Sequence, residues 1–201
     1  NVLVMQSGGS TPVMNRSLVG IVRELQGHGG FGEIYGAAHG LEGVLSRQLI
    51  DLSRHTNAQW NRIARTPGAV LGTSRRSLRP EDGPTVLDIL SEKDISYWFI
   101  IGGNDSAETG HRIGVDAHGA GMPLTVINVP KTIDNDLVLT DHSPGYGSAA
   151  RFVALATMGA GRDAEAMGKA SPITIIEVMG RDAGWLAASA ALAKREERDA
   201  P

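Results

Sequence analysis

Short apolar runs that each break into a Gly-rich or acidic loop, and then into a helical pattern, constrain this chain more than any other feature. Residues 2–5 lead into Ser7-Gly8-Gly9-Ser10-Thr11-Pro12 and a helix over 16–25 that Asn15 is placed to cap. Residues 97–101 lead into Gly102-Gly103-Asn104-Asp105-Ser106 and a helix from about Ala107. Residues 124–129 lead into Pro130-Lys131-Thr132-Ile133-Asp134-Asn135-Asp136. Residues 173–179 lead into Gly180-Arg181-Asp182-Ala183-Gly184 and a helix over 185–194. Shorter strands are expected at 33–37 and 69–71, and a flexible turn at 27–32. Strands alternating with helices imply parallel βαβ units, so the predicted fold is α/β, a doubly wound and mostly parallel sheet with helices on both faces. Ligands of such sheets bind beyond the carboxyl ends of the strands, where all of these loops fall.

The octapeptide ending at Asp136 carries the clearest chemistry. A lysine and two acids within six residues can bind an anion and take a proton from a bound hydroxyl, a combination suited to phosphoryl transfer. In an extended segment Asp134 and Asp136 point to one side and Asn135 to the other. The competing reading is a polar loop in which either acid caps the next helix. Pro130 stiffens the entry, and a functional cluster accounts for both acids and Lys131 together.

The other loops are individually less specific. Gly8-Gly9 lets the backbone approach a ligand, and amides at the following helix start suit a phosphate; a tight turn explains the glycines equally well. Asp105 can hold Mg²⁺ through oxygen or water, or form a capping box with Glu108. In Leu71-Gly72-Thr73-Ser74-Arg75-Arg76, paired arginines suit phosphate oxygens, although Arg76 reads better as a solvated basic turn. Arg181 lies on the ligand edge. Trp185 reads as helix packing, and residues 143–148 as a turn and helix start. His28, His39, His55, His111, His118 and His142 lack the spacing of a paired zinc site. Nothing suggests a nucleophilic serine, which favours direct transfer over a covalent intermediate.

Composition excludes several function classes. A net charge of −3 gives no electrostatic footprint for nucleic acid. With no cysteine, disulfides, thiolate metal sites and a cysteine nucleophile are ruled out, which fits a reducing cytoplasm. No apolar run approaches the roughly 18 residues of a membrane helix, and no signal-peptide pattern opens the chain, so no membrane association is expected. The chain starts at Asn1 inside a strand pattern and stops at Asp199-Ala200-Pro201 after a helix pattern, so a fragment is expected.

Four segments, in order, resemble the motifs of the 6-phosphofructokinases: residues 8–15, residues 102–106, residues 130–136, and Glu177-Val178-Met179-Gly180-Arg181 with Ala183-Gly184-Trp185. The resemblance implies phosphorylation of fructose 6-phosphate at its 1-hydroxyl with Mg²⁺, a glycolytic reaction, by a homo-oligomer. It makes residues 1–201 an N-terminal region whose C-terminal domain is absent. By matching position, Asp134 resembles the family's base, with Lys131 and Arg181 as further catalytic candidates. Thr132, Asp134, Asp136, Met179, Gly180 and Arg181 match sugar-phosphate contacts. Gly8, Gly9, Arg75, Asn104, Asp105, Ser106 and Lys131 match the donor-phosphate site, with Asp105 as metal ligand.

Donor choice follows from the same resemblance. ATP-using relatives have glycine at the position of Asp105 and commonly at Lys131, whereas pyrophosphate-using relatives have an acid and a lysine. A carboxylate at 105 would meet the α-phosphate of ATP, and like charges about 4 Å apart repel by roughly 4 kcal/mol at an effective dielectric of 20. Pyrophosphate is the expected donor, in a reversible reaction. The alternatives are an ATP-dependent 6-phosphofructokinase, a NAD-kinase or lipid-kinase relative sharing a Gly-Gly-Asp loop, and a non-catalytic sugar-phosphate-binding regulatory subunit. Asn104 departs from an Asp that the family uses near Mg²⁺. Pro172 departs from an arginine that in many relatives reaches a neighbouring subunit's sugar site.

Overall fold

A computed structural model describes residues 1–194 and divides the chain into two units, residues 1–131 and residues 132 onward. The first holds a five-stranded sheet: β1 (Val2–Gln6), β2 (Ile34–Ala37), β3 (Leu49–Asp51), β4 (Tyr97–Gly102) and β5 (Thr125–Pro130), in the order β3-β2-β1-β4-β5. Every pairing is parallel except that of β2 with β3. Its helices are α1 (Val13–His28), α2 (Leu41–Leu45), α3 (Asn57–Arg65), α4 (Asp82–Glu92) and α5 (Asn104–Gly119).

The period of two along β1 divides the core. Val2 and Val4 pack with Met14, Leu18 and Val22 of α1 and Trp60 of α3 on one face. Leu3 and Met5 pack with Val44 of α2, Val86 and Leu90 of α4 and Ile113 of α5 on the other. β1 is buried along its whole length, as a central strand covered on both faces must be. Truncating Leu3 to alanine would cost about 2–5 kcal/mol, because its site is closed from both sides.

The second unit contains α6 (Tyr146–Met167) and α7 (Trp185–Ser189), with 3-10 turns at Gly168–Ala170 and Ala190–Ala193. Its small core joins Ala150 and Val153 of α6 to Leu186 of α7. No helix of the described residues is long and apolar enough to cross a membrane.

Several local expectations fail. Residues 173–179 form no strand, and Ile173, Ile175 and Ile176 are exposed, because an apolar run becomes a strand only where a neighbour completes its ladder. Residues 69–71 form none either; the N–H groups of Val70 and Leu71 are taken by side chains instead. Asn15 is not a cap but a buried residue inside α1, whose N-cap is Pro12. The helix expected from Ala107 begins at Asn104 with Gly103 as N-cap, so no capping box forms between Asp105 and Glu108. The helix expected over 185–194 is α7 followed by a 3-10 turn. The closing Asp199-Ala200-Pro201 lies outside the described residues.

Candidate active site

The order β3-β2-β1-β4-β5 places a topological switch between β1 and β4: the chain winds outward from β1 to β3 and re-enters on β1's other side. Loops leaving the carboxyl ends of strands that wind in opposite directions part there and leave a crevice. The Ser7 N–H donates to the Ile101 carbonyl at 2.9 Å, which holds the two strand ends together at its base. The Lys131 N–H donates to the Gly102 carbonyl at 3.1 Å, so β5 delivers its lysine to the same edge.

Two adjacent glycines meet two cations here. Gly8 has φ +78°, a left-handed conformation, and a Cβ on it would stand 3.1 Å from Lys131 Nζ. Gly9 carries no positive φ, and a Cβ on it would stand 3.6 Å from Arg75 Nη2. Lys131 is buried and Arg75 exposed, so one ammonium lies deep and one guanidinium at the rim. Across the switch, a Cβ on Gly102 would run into the Ser106 side chain, so only glycine lets α5 start so close to the strand end. Asn104 and Asp105 are exposed in the first turn of α5 and Ser106 is buried, and the positive end of the helix dipole there favours anions.

Arg76 is not the solvated turn its sequence context suggests. Its Nη2 lies 2.7 Å from Asp82 Oδ1, and the Arg79 N–H donates to Asp82 Oδ2 at 3.0 Å. The Arg79 hydrogen bond above all, and the Arg76 guanidinium after it, hold the Asp82 carboxyl below the usual carboxylate range against the opposing effect of burial. Arg76 thereby anchors the loop to α4, leaving Arg75 as the arginine beside the glycines.

Within the second unit, Thr132 bridges to Gly145 and its Oγ1 accepts the Asp134 N–H at 3.1 Å. The segment is not extended: Asn135 has φ +55°, so the alternation expected to align Asp134 with Asp136 is lost. Asn135 Nδ2 donates to the Asp141 carbonyl at 3.2 Å, and its Oδ1 accepts the Ser143 N–H at 2.7 Å. Asparagine tolerates the left-handed region, and here it clasps the loop of residues 136–142. Neither acid caps the next helix, since Gly145 stands at the start of α6. Asp134 Oδ1 is buried with no hydrogen-bond partner among the described residues, a costly state unless a ligand donor completes it.

The remaining candidates lie on a turn closed by the Ala183 N–H donating to the Gly180 carbonyl at 2.9 Å. Met179 and Arg181 are exposed; Gly180 has φ +137° and Arg181 φ +45°, uncommon for a long side chain. Trp185 is 52% exposed, and Leu186 fills the packing role expected of it. Among the described residues, the histidines and acids form no group of three able to hold a metal.

Residues 1–198 match the phosphofructokinase family. The chain is 40% identical over 200 residues to the pyrophosphate--fructose 6-phosphate 1-phosphotransferase of Rhodospirillum rubrum, a match covering 100% of this chain and 49% of the relative. It is 40% identical over 207 residues to the enzyme of that name from Xanthomonas campestris pv. campestris, covering 100% and 49%. The crystal structure of pyrophosphate-dependent phosphofructokinase from Nitrosospira multiformis superposes with a TM-score of 0.89 at 36% identity, covering 100% of this chain and 51% of that one. The chain therefore spans about half the length of these relatives.

Proposed function

The chain belongs to the phosphofructokinase family, and on that premise we propose that it carries the donor-binding and catalytic-loop region of a pyrophosphate-dependent enzyme. The reaction is phosphoryl transfer to the 1-hydroxyl of fructose 6-phosphate, giving fructose 1,6-bisphosphate and phosphate. The observation that carries this reading is the pairing of Lys131 with Gly8 and Arg75 with Gly9. Two cations close against bare backbone suit a small, dense dianionic donor, each phosphate meeting one cation and nearby amides. Asp105 opposes a longer donor, because a third phosphate would meet its carboxylate.

The residues fit a magnesium ion shared with substrate rather than one caged by protein. Magnesium usually takes one or two carboxylates and completes its octahedron with phosphate oxygens and water; the exposed Asp105 carboxylate is such a ligand. When bound, the ion would neutralise charge on the transferring phosphate. Asp134 accepts the proton of the 1-hydroxyl through its buried Oδ1, which has no hydrogen-bond partner among the described residues. The hydroxyl oxygen then bonds to the distal phosphorus as the bridging P–O bond breaks and phosphate leaves with the electron pair. Lys131 and Arg75 stabilise the spreading charge. Thr132, Asp136, Met179, Gly180 and Arg181 orient the sugar phosphate. We assign the enzyme to the cytoplasm and to a homo-oligomer.

The test is a donor comparison in a protein of full family length carrying these 201 residues. Fructose 1,6-bisphosphate formation from fructose 6-phosphate and Mg²⁺ is measured with pyrophosphate and with ATP. Turnover with pyrophosphate is expected. Preference for ATP would refute the donor assignment, and sugar-phosphate binding without turnover would favour a regulatory subunit.

A further inference from the structure

Gln6 and Asn15 are buried at the end of β1 and near the start of α1, with exposures of 0% and 2%. Side chains this polar are costly in a core unless their atoms are paired, and here most of the partners lie on one loop. Gln6 Nε2 donates to Asn15 Oδ1 at 3.2 Å, and Gln6 Oε1 accepts the Leu71 N–H at 3.0 Å. Asn15 Oδ1 accepts the Val70 N–H at 2.7 Å, and its Nδ2 donates to the Thr66 carbonyl at 2.8 Å. The two amides thus supply the hydrogen bonds that a strand neighbour would have given residues 69–71. The Leu71 carbonyl accepts from the His39 N–H at 2.8 Å, and the Ser74 carbonyl from the Gly8 N–H at 3.0 Å. The next residue is Arg75, whose guanidinium stands against Gly9.

We propose that Gln6 and Asn15 are positioning residues for the donor site, suspending the loop of residues 66–74 from β1 and α1 so that Arg75 faces the Gly8-Gly9 turn. The assignment rests on the proposed function. Apolar side chains of similar volume could fill the space but would leave the Val70 and Leu71 N–H groups and the Thr66 carbonyl unpaired, so the amides are what ties the loop to β1 and α1. A rigid suspension matters because a phosphate contact is lost when its cation wanders by about an ångström.

The experiment is a double-mutant cycle in the full-length protein, with Asn15→Leu, Arg75→Ala and their combination. KM for pyrophosphate, KM for fructose 6-phosphate, kcat and Tm are measured for each. Asn15→Leu should raise KM for pyrophosphate about tenfold, within the coupling range of one hydrogen-bond network. KM for fructose 6-phosphate should hold, and in the Arg75→Ala background the same change should add nothing. Gln6→Met removes the acceptor for the Leu71 N–H without burying a charge and should give the same pattern, which preserves the test should Asn15→Leu not fold. Equal rises in both KM values, or a full further loss on top of Arg75→Ala, would overturn the proposal. A parent that uses ATP refutes only the donor reading, since the cycle is then read with ATP. A parent that turns over neither donor overturns both.

Discussion

Replacing Gly8 with alanine separates backbone strain from ligand recognition at a single atom. At φ +78° an L-residue carries a left-handed backbone, which costs about 1–2 kcal/mol. For a protein of this size each kcal/mol shifts Tm by about 2–4 °C, so a fall of roughly 2–8 °C is expected. The new Cβ would also stand 3.1 Å from Lys131 Nζ. That atom ends a flexible side chain, so it moves aside rather than unfolding the protein. A hydrogen bond from an ammonium is worth about 1.5–3 kcal/mol, so displacing it should weaken pyrophosphate binding by roughly 10- to 100-fold. Gly9→Ala is the control: its Cβ meets Arg75 Nη2 at an ordinary 3.6 Å without a positive φ, so stability should change by no more than about 0.5 kcal/mol. Thermal melts and calorimetric pyrophosphate titrations of this chain and both variants decide it. The reasoning is refuted if Gly8→Ala binds pyrophosphate like the parent, or if Gly9→Ala is the more damaging change.

Asp105→Gly combined with Lys131→Gly should move donor preference from pyrophosphate toward ATP, whereas Lys131→Gly alone should weaken pyrophosphate use without creating ATP use; steady-state rates with both donors check this. Asp134→Asn should lower turnover by about 10²- to 10⁴-fold with donor and sugar binding nearly intact, and an undiminished rate at neutral pH would shift the base role to Asp136. The depressed pKa of Asp82 contributes stability that is present above its unfolded pKa, about 3.9, and lost as pH falls through its lower folded value. Asp82→Asn should therefore flatten the acid limb of a stability-versus-pH curve, and an unchanged limb would count against the Arg76–Asp82–Arg79 link.

Much of the sheet was legible because β1, β4 and β5 each read as an apolar run that ends in a loop, and parallel strands pointing the same way must deliver those loops to one edge. The same rule misled at residues 173–179, where the run lacks a paired neighbour and Ile175 is exposed. β3, only three residues long, carries too little pattern to detect. The start of α3 was readable in principle, since Thr56 and Gln59 form a capping box whose spacing is local.

The residues proposed for the chemistry, Lys131, Asp134, Asp105, Arg75 and Gly8-Gly9, were singled out from the sequence, as was the strand edge to which β1, β4 and β5 lead. The motif singled out Arg75, but what becomes of its neighbour Arg76 was not legible. Arg75 stands against Gly9, while Arg76, expected to be solvated, turns to Asp82 at the start of α4. Asn15 read as a helix cap and Gln6 carried no signal, yet both are buried joints reaching as far as residue 71. Asn135 broke the alternation of the acids by entering the left-handed region to close a loop ending at Ser143. Periodicity and capping act over a turn or a pleat, so they are written in neighbouring residues. Partners such as Gln6 and Leu71, 65 residues apart, are chosen only when the closed fold leaves a buried polar atom one group to bond.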